Sequence, residues 1–239
     1  MTNREKYILS IYEELSDMGK HENVKLVKNT VNDGIYIKKT LKNYNIEIYK
    51  ILKNRQIKGI PKVYEIIEDE KELIIIEEYI HGLTLDKKYN KTDVETVKKI
   101  MEQLCNILKQ LHNMNPPIIH RDIKPTNIIV SNDDVVYLVD FNISREYDEN
   151  QSVDTVIMGT QGYASPEQCG FAQTDCRSDI YSIGMLMKNI LMVDEYPDKE
   201  TKSLKRIIDK CTSIDPEKRY KNIEKLEQAL NNKLGERIS

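Results

Sequence analysis

One polar run between apolar segments constrains this chain more than any other feature of its sequence. Residues 119–127 read IHRDIKPTN, and a second acidic residue, Asp140, follows in the segment LVDFN. Asp122 is a candidate base, and Lys124 is a candidate ligand for phosphate. Asn127 and Asp140 carry the kind of oxygen atoms that Mg²⁺ prefers as ligands. Catalysis of phosphoryl transfer depends mainly on positioning and on neutralising negative charge, and these groups suit both tasks.

The spacing of these groups resembles the protein kinase superfamily, and within it the bacterial, eukaryotic-like serine/threonine protein kinases. His-Arg-Asp with an Asn five residues after the Asp is the catalytic-loop signature of that family, and the second Asp is its Mg²⁺ ligand. The resemblance extends from about residue 10 to about residue 235. It implies an α+β, bilobal fold, with a strand-rich N-lobe over about residues 1–80 and a helical C-lobe over about residues 81–239. We therefore expect one protein kinase domain over residues 1–239, whereas an Arg-Asp turn between two buried strands is the simpler alternative.

The hydrophobic pattern changes near Gly82 from strand-like to helical. Residues 32–34 (Asn-Asp-Gly) are a hairpin signal between two strand-like segments, and residues 68–71 separate a second such pair. Residues 46–52, between the two hairpins, favour a helix. Beyond Gly82, apolar residues recur every three or four positions over 94–111, which predicts an amphipathic helix of about five turns. The segments around Ser178, Ile207 and Leu226 are predicted to be helical as well.

Composition and charge narrow the class of protein. The chain has 239 residues, enough to bury a sizeable core, and its 36 basic and 39 acidic side chains give a net charge of −3. No strongly basic face is expected, so nucleic acid is not a predicted partner. Four scattered cysteines without a C-x-x-C pair indicate reduced thiols in a cytoplasmic protein.

The sequence offers no apolar run of the roughly 18 residues that a membrane span needs, and its start is charged throughout. No signal peptide and no membrane segment are therefore predicted in this chain. Bacterial relatives often carry a membrane anchor after the kinase. The chain is thus expected to be either a free cytoplasmic kinase or a piece of a longer protein.

The resemblance assigns nucleotide-binding roles in the N-lobe. Lys39 ends an inward-facing alternation with Ile35 and Ile37, and it takes the place of the family's ATP-anchoring lysine. Its neighbour Lys38 lies on the other face of the strand. Ile37 takes the place of the residue over adenine, and Glu47, on the following helix, is expected to orient Lys39.

Residues 77–80 resemble the family's adenine-binding segment. Backbone groups of Glu78 and Ile80 are expected to hydrogen-bond the base, whatever side chains they carry. This register places Glu77 at a position that is usually bulky and apolar. A buried carboxylate is unfavourable there unless it is paired.

The loop that covers the phosphates departs from the family pattern G-x-G-x-x-G. Residues 15–24 contain a single glycine, Gly19, which with Val24 completes the predicted nucleotide site. Asp17 and Glu22 stand near the positions of missing glycines, where their charge would repel phosphate. Weak ATP binding is therefore expected. A pseudokinase that acts as a binding or regulatory module is the alternative function.

The resemblance also assigns the catalytic side chains, all of which are present. Asp122 accepts or orients the proton of the substrate hydroxyl, Lys124 contacts the transferring phosphate, and Thr160 hydrogen-bonds both residues. Asn127 and Asp140 hold Mg²⁺ between them, so ATP and Mg²⁺ are the expected cofactors. Lys124 also marks a serine/threonine kinase, so proteins with serine and threonine hydroxyls are the expected substrates.

Further contacts are expected to hold this site in place. Glu167 is predicted to form a buried ion pair with Arg219, and Asp179 is predicted to anchor the backbone of the catalytic loop. His120 and Phe141 are expected to be packing residues. The segment that ends at Glu167 resembles the peptide-docking part of a protein kinase. Small-molecule phosphotransferases lack such a segment, so a small-molecule kinase is the least favoured of the three functions.

Regulation is predicted to involve the segment that follows the Mg²⁺ ligand. Arg121 is buried beside the catalytic loop in the family, so its charge needs compensation. A phosphate on Thr155 adds a charge of about −2 and can form a bidentate pair with Arg121. The alternative is that Asp154 supplies a constant negative charge.

We predict autophosphorylation in trans at Thr155, with Ser152 the next choice, and a rise in activity as the segment becomes ordered. Mass spectrometry after incubation with ATP locates the phosphate. Its absence from residues 144–160, or full activity in Thr155→Ala, would contradict the prediction.

Overall fold

A computed structural model of the chain divides into two compact units, Met1–His81 and Gly82–Ser239. The first is built on an antiparallel sheet and the second is mainly helical, which confirms the predicted α+β class. The described residues are 1–18, 23–70, 72–89, 92–148, 159–170, 173–191 and 199–235. Roles were predicted above for five residues that lie outside these ranges: Gly19, Glu22, Ser152, Asp154 and Thr155.

The first unit contains one sheet in the strand order β1-β2-β3-β5-β4, and all neighbouring strands are antiparallel. Both predicted hairpins are present, as β2–β3 and β4–β5. At the first turn Asp33 has a φ of 58°, a left-handed conformation that Asp tolerates better than most residues. In chain order the elements are α1 (Asn3–Ser10), β1 (Tyr12–Asp17), β2 (Val24–Asn29), β3 (Ile35–Leu41), α2 (Ile46–Asn54), β4 (Val63–Asp69) and β5 (Glu72–Glu78).

The core of this unit brings charged side chains into an apolar layer. Along β3 the buried residues alternate, so that Ile37, Lys39 and Leu41 share one face. In β5 every residue from Leu73 to Glu77 is buried, as expected for a strand with neighbours on both sides. Helix α2 packs against β4 and buries three residues. These are Ile48, Tyr49 and Leu52.

Helix α1 was not predicted by the hydrophobic pattern. It buries none of its residues, so the apolar periodicity that identifies a packed helix is missing. Its start is a capping box, in which the Glu5 N–H donates to the Thr2 hydroxyl and the Thr2 N–H donates to the Glu5 carboxylate. That Thr-x-x-Glu spacing was the only signal for the helix.

The second unit contains the predicted amphipathic helix as α4, whose buried face recurs every three or four residues from Val97 to His112. Asp93 caps this helix by accepting the Thr96 N–H at 2.9 Å. In chain order the elements are β6 (Gly82–Thr84), α3 (Leu85–Lys88), α4 (Val94–His112), β7 (Ile118–Ile119), β8 (Ile128–Ser131), β9 (Val136–Leu138), β10 (Arg145–Glu146), α5 (Cys176–Ile190), α6 (Lys199–Cys211) and α7 (Ile223–Gly235).

Two small antiparallel sheets position the polar run of the sequence. One has the order β6-β8-β9, and the other pairs β7 with β10. The run therefore connects β7 to β8, and Asp140 lies two residues after the end of β9. Among the described residues, no helix is long and apolar enough to cross a lipid bilayer.

Gly184 in α5 marks a close approach between helices. A Cβ atom at this position would lie 2.5 Å from the Cβ of Cys211 at the end of α6. We expect Gly184→Ala to destabilise the protein by about 1–3 kcal/mol through overpacking. Helix propensity alone predicts the opposite result, because alanine in a helix is favoured over glycine by about 1 kcal/mol. The sign of the change therefore distinguishes the two effects.

The matched control is Asn189→Ala, at an exposed position of the same helix, which should be neutral or slightly stabilising. Chemical denaturation of the two variants and the wild type measures the difference. A gain of stability in Gly184→Ala would contradict the packing described here.

Candidate active site

The Asp122 carboxylate is held by three side chains of the second unit. Its Oδ1 accepts a hydrogen bond from the Thr160 hydroxyl at 2.7 Å. Its Oδ2 lies 2.7 Å from the Lys124 ammonium and accepts a bond from the Asn127 amide at 2.9 Å. Lys124 also donates to the Thr160 hydroxyl oxygen at 2.8 Å, which closes a ring of three groups. The predicted contacts of Thr160 with both residues are therefore present.

This ring fixes the direction in which the carboxylate points. The side chains of Asp122 and Lys124 are 12% and 21% exposed, so a substrate can reach them while most of their surface is shielded. Hydrogen bonds between charged groups are stronger than neutral ones, and partial burial strengthens them further. A carboxylate held in this way can accept a hydrogen bond from a hydroxyl, while the adjacent ammonium can neutralise a phosphate.

Asn127 and Asp140 are brought together by the β8–β9 hairpin. The Val139 N–H donates to the Asn127 carbonyl at 2.9 Å, which places Asp140 beside Asn127. The Asn127 Nδ2 donates to both the backbone carbonyl and the carboxylate of Asp122, so its amide oxygen is the atom that can serve as a ligand.

The oxygen atoms of this pair fit a Mg²⁺ ion. The Oδ1 atom of Asp140 is buried and has no hydrogen-bond partner among the described residues. A buried carboxylate oxygen needs a compensating charge or donor, which a cation would supply. The described part of the chain holds no group of three or more His, Cys, Asp or Glu that could bind a metal. Mg²⁺ suits a site with one carboxylate, because it takes its other ligands from phosphates and water.

Asp179 anchors the backbone of the catalytic loop, as predicted. Its Oδ2 accepts the His120 N–H at 3.0 Å and its Oδ1 accepts the Arg121 N–H at 2.9 Å. Arg121 has a φ of 70°, a left-handed conformation that is unfavourable for a residue with a long side chain. The two hydrogen bonds from the loop to one buried carboxylate hold this strained backbone in place.

A third partner of Asp179 is His112, at the end of α4, which the sequence reasoning missed. The two side chains meet at 2.8 Å between Nε2 and Oδ2, and both are buried. Burial opposes the charged imidazolium, but the hydrogen bonds and the charges of Asp179 and Cys176 together outweigh burial and raise the pKa of His112 to about 10. Burial likewise opposes ionisation of Asp179, yet the hydrogen bond and charge of His112, together with the bond from the Arg121 N–H, keep the pKa of that carboxyl below its usual range. The pair is therefore charged at neutral pH.

His120, unlike His112, is a buried histidine that carries no charge. Its ring packs edge-on against Phe141 at 4.7 Å between centroids, which agrees with the predicted packing role of both residues. Complete burial lowers the pKa of His120, so the ring is neutral. Its Nδ1 accepts the Asp122 N–H at 3.3 Å and its Nε2 donates to the Val139 carbonyl at 3.2 Å, which assigns the ring proton to Nε2. The ring therefore ties the catalytic loop to the strand that leads to Asp140.

The predicted ion pair between Glu167 and Arg219 is present and fully buried on the Arg219 side. Two parallel hydrogen bonds of 2.7 and 2.8 Å join the guanidinium to the carboxylate, and Ser178 donates a third at 2.8 Å. Burial raises the pKa of Glu167, but the bonds and charge of Arg219, together with the bonds from Ser178 and the backbone, leave that pKa below its ordinary value. This pair joins the 3₁₀ turn Pro166–Cys169 to the segment that precedes α7.

Gln168 is a second residue that the sequence reasoning missed. Its amide nitrogen donates to the Arg121 carbonyl at 2.8 Å, and its amide oxygen accepts both the N–H and the hydroxyl of Ser165. The capping box Ser-x-x-Gln was a readable signal for the turn, although it could not reveal the contact with the loop. Gln168 therefore connects the predicted docking segment to the residue before Asp122.

In the first unit, Lys39 forms its ion pair with Glu77 and not with Glu47. The Lys39 Nζ lies 2.6 Å from the Glu77 Oε1, and both residues are 7% exposed. Glu47 lies in the exposed first turn of α2, where it pairs with Lys50 at 2.7 Å. The expectation that Glu47 orients Lys39 is therefore corrected: the strand next to β3 places a carboxylate closer than the helix does.

The other predicted nucleotide-binding residues lie in the same sheet or, for Ile80, just after β5. Ile37 is buried directly opposite Glu77, and Val24 is half-buried opposite Lys39. Ile80 is buried as well. Glu78 is tied to Lys62, because its N–H donates to the Lys62 carbonyl and its carboxylate accepts the Lys62 N–H.

Comparison with known proteins gives a consistent assignment. Residues 15–234 match the family model described as a protein kinase domain. A probable serine/threonine-protein kinase of Clostridium acetobutylicum is 30% identical over 200 residues, which cover 73% of this chain and 30% of that protein. Serine/threonine-protein kinase D of Synechocystis is 30% identical over 72% of this chain and 38% of its own length.

A third relative is serine/threonine-protein kinase PknB of Mycobacterium tuberculosis, which is 36% identical over 49% of this chain and 19% of its own length. The chain thus spans less than two fifths of the length of each of these relatives.

The charged pair of His112 and Asp179 gives a testable pH dependence. The pKa of His112 is about 10 in the folded protein, against about 6.5 in an unfolded chain. Its stabilising contribution is therefore complete below about pH 6.5 and is lost as the pH rises through about 10. We expect His112→Asn to lower the free energy of unfolding by about 3 kcal/mol at pH 6.5.

The difference between wild type and His112→Asn should shrink steadily from pH 6.5 to pH 10 in denaturant titrations. His81→Asn, at an exposed histidine, is the matched control and should show no such trend. A difference that stays constant with pH would mean that His112 is neutral in the folded protein.

Proposed function

This chain belongs to the protein kinase family, and from that premise we propose that it is an ATP- and Mg²⁺-dependent serine/threonine protein kinase. It transfers the γ-phosphate of ATP to serine and threonine hydroxyls of proteins, its own included, and residues 1–239 form one kinase domain. The observation that carries this proposal is the closed ring of Asp122, Lys124 and Thr160 beside Asn127. The proposed base, Asp122, and the proposed phosphate-binding cation, Lys124, are thereby held 2.7 Å apart.

Each of the predicted side chains has a defined task in the proposed reaction. Asp122 receives the hydrogen bond of the substrate hydroxyl and aligns that oxygen for attack on the phosphate. Lys124 neutralises charge on the transferring group, and Lys39 anchors the nucleotide phosphates. Asn127 and Asp140 would hold Mg²⁺, which would neutralise the charge that develops on the phosphate oxygens.

Adenine recognition is assigned to backbone groups near the end of β5. The Glu78 N–H is already bonded to Lys62, so a contact at Glu78 falls to its carbonyl. Ile80 supplies the second backbone contact, while Ile37 and Val24 provide apolar surface. Ile37, Val24 and Glu78 belong to the sheet, and Ile80 follows its strand β5.

A pseudokinase is the second candidate, and one observation favours it. Asp17 ends β1 as an exposed residue, so its carboxylate stands at the entrance of the glycine-poor loop. Negative charge there opposes phosphate binding. The small-molecule kinase has less support, because the Glu167–Arg219 pair and Gln168 hold in place a segment that resembles the peptide-docking part of protein kinases.

The deciding experiment is an incubation with labelled ATP, Mg²⁺ and a generic basic protein, followed by phosphoamino-acid analysis. Labelled phosphoserine or phosphothreonine in the protein is the expected result. Nucleotide binding without transfer would identify a pseudokinase. Transfer to a small acceptor but not to protein would identify the third function.

Two substitutions separate the roles of the acidic residues. Asp122→Asn should abolish transfer, with a loss of 100-fold or more on the order expected for a catalytic base, while ATP affinity stays nearly unchanged. Asp140→Asn should weaken Mg²⁺-ATP binding as well, because it removes a charged metal ligand.

Turnover with the basic protein and calorimetric titration of Mg²⁺-ATP measure the two effects separately. The matched control is Asp133→Asn, at an exposed position of the β8–β9 turn, which should change neither quantity. Wild-type turnover in both Asp122→Asn and Asp140→Asn would refute the assignment of the site.

A further inference from the structure

The first unit contains a buried ion pair between Lys39 and Glu77. Lys39 is the residue to which the proposed function assigns the binding of nucleotide phosphates. The charged atoms of Lys39 and Glu77 are 2.6 Å apart, and their side chains are only 9% and 10% exposed. We infer that Glu77 is the residue that positions the Lys39 ammonium, in place of a carboxylate on helix α2. The inference rests on the proposed kinase function, and it adds a positioning residue to that site.

The register of the sheet explains how the pair forms. Lys39 lies opposite Ile75, and Glu77 lies opposite Ile37 on the neighbouring strand. Lys39 and Glu77 are therefore diagonal neighbours on one face of an antiparallel pair, a separation that long side chains can bridge. The Cα positions of both residues are set by hydrogen bonds of strands that have partners on each side.

The surroundings make this contact strong and directional. Ile37 and Ile75, the residues opposite the two charges, are 8% and 0% exposed. In such an apolar layer a charged pair interacts more strongly than at a surface, and removal of one partner leaves an unfavourable buried charge. Glu77 thus holds the flexible lysine side chain near one position before a nucleotide arrives.

Helix α2 is not needed for this arrangement. The Glu47 side chain is 58% exposed and pairs with Lys50, whose side chain is 51% exposed. In protein kinases that pair the lysine with a helix carboxylate, the position of that helix controls the pair. Here both partners belong to the sheet. Movement of α2 should therefore leave Lys39 in position.

The test compares three substitutions of the same type in the full chain. Glu77→Gln removes the proposed positioning charge, Glu47→Gln removes the competing one, and Glu65→Gln removes a surface partner of Lys53. Glu65→Gln is the matched control, because that ion pair is also within the first unit but is partly exposed. Glu77→Asp keeps the negative charge on a shorter side chain, and it tests whether the charge itself supports nucleotide binding.

Three measurements are made on each variant. Titration with a fluorescent ATP analogue and Mg²⁺ gives the nucleotide affinity. Steady-state kinetics gives the KM for ATP and, separately, the KM for the basic protein. Acylation of lysines at one fixed pH, followed by mass spectrometry, gives the labelling of Lys39 relative to its neighbour Lys38, since an amine held in a buried ion pair reacts slowly.

We expect Glu77→Gln to weaken nucleotide affinity and raise the KM for ATP by about tenfold or more, which corresponds to about 1.4 kcal/mol. The KM for the protein substrate should stay within about twofold of the wild-type value. A purely structural role would reduce the folded fraction, but it would not raise the KM for ATP alone. Glu77→Asp should fall between wild type and Glu77→Gln, and Glu65→Gln should match wild type.

Unchanged or tighter nucleotide binding in Glu77→Gln would overturn the inference, and tighter binding would mean that Glu77 withdraws the lysine from phosphate. A loss in Glu47→Gln as large as that in Glu77→Gln would overturn it too. If the wild type binds no nucleotide, the proposed function fails, and labelling decides the inference alone. Faster acylation of Lys39 in Glu77→Gln but not in Glu47→Gln then supports it, and equal acylation refutes it.

Discussion

The buried carboxylate of Asp179 is the interaction on which the geometry of the catalytic loop depends. One side chain accepts two consecutive backbone N–H groups of the loop and pairs with an imidazolium from a different helix. These three donors compensate the burial of the charge, and in return they fix the backbone just before Asp122. The left-handed conformation of Arg121 is unfavourable by itself, and the bond from its N–H to Asp179 helps to hold it. Without this anchor, the backbone that positions Asp122 and its ring of hydrogen bonds would no longer be held in place.

The same principle governs the other charged contacts of the protein. Buried ion pairs are weak evidence for stability, because apolar residues of similar volume often stabilise a fold as well or better. The pairs of Glu167 with Arg219 and of Lys39 with Glu77 therefore call for an explanation beyond stability. Each one fixes a segment or a side chain that the proposed reaction uses. Directional contacts serve that purpose better than apolar packing, which leaves more freedom of orientation.

Much of this arrangement could be predicted from the sequence, because it depends on local signals or on ordered motifs. The Asn-Asp-Gly turn predicts the β2–β3 hairpin, and the apolar period over residues 94–111 predicts helix α4. The catalytic-loop motif led to Asp122 and Asn127, the following segment LVDFN led to Asp140, and the family resemblance led to the anchor at Asp179. The partner of Lys39 was not accessible in the same way. It depends on the register between β3 and β5, which are separated by a helix and another strand, and no local pattern encodes that register.

The residues that sequence reasoning missed share a property that explains the omission. His112 and Gln168 are ordinary polar residues in apolar or turn contexts, and each acts through a partner far away along the chain. Their roles follow only from tertiary contacts, in which His112 carries a charge and Gln168 bridges two loops. Glu77 belongs with them, since a carboxylate in an apolar strand first looks like a conflict with burial. Functional sites are where a sequence is expected to break such local folding rules. Here the buried charge of Glu77 is compensated by Lys39, a side chain that the proposed reaction needs in a fixed position.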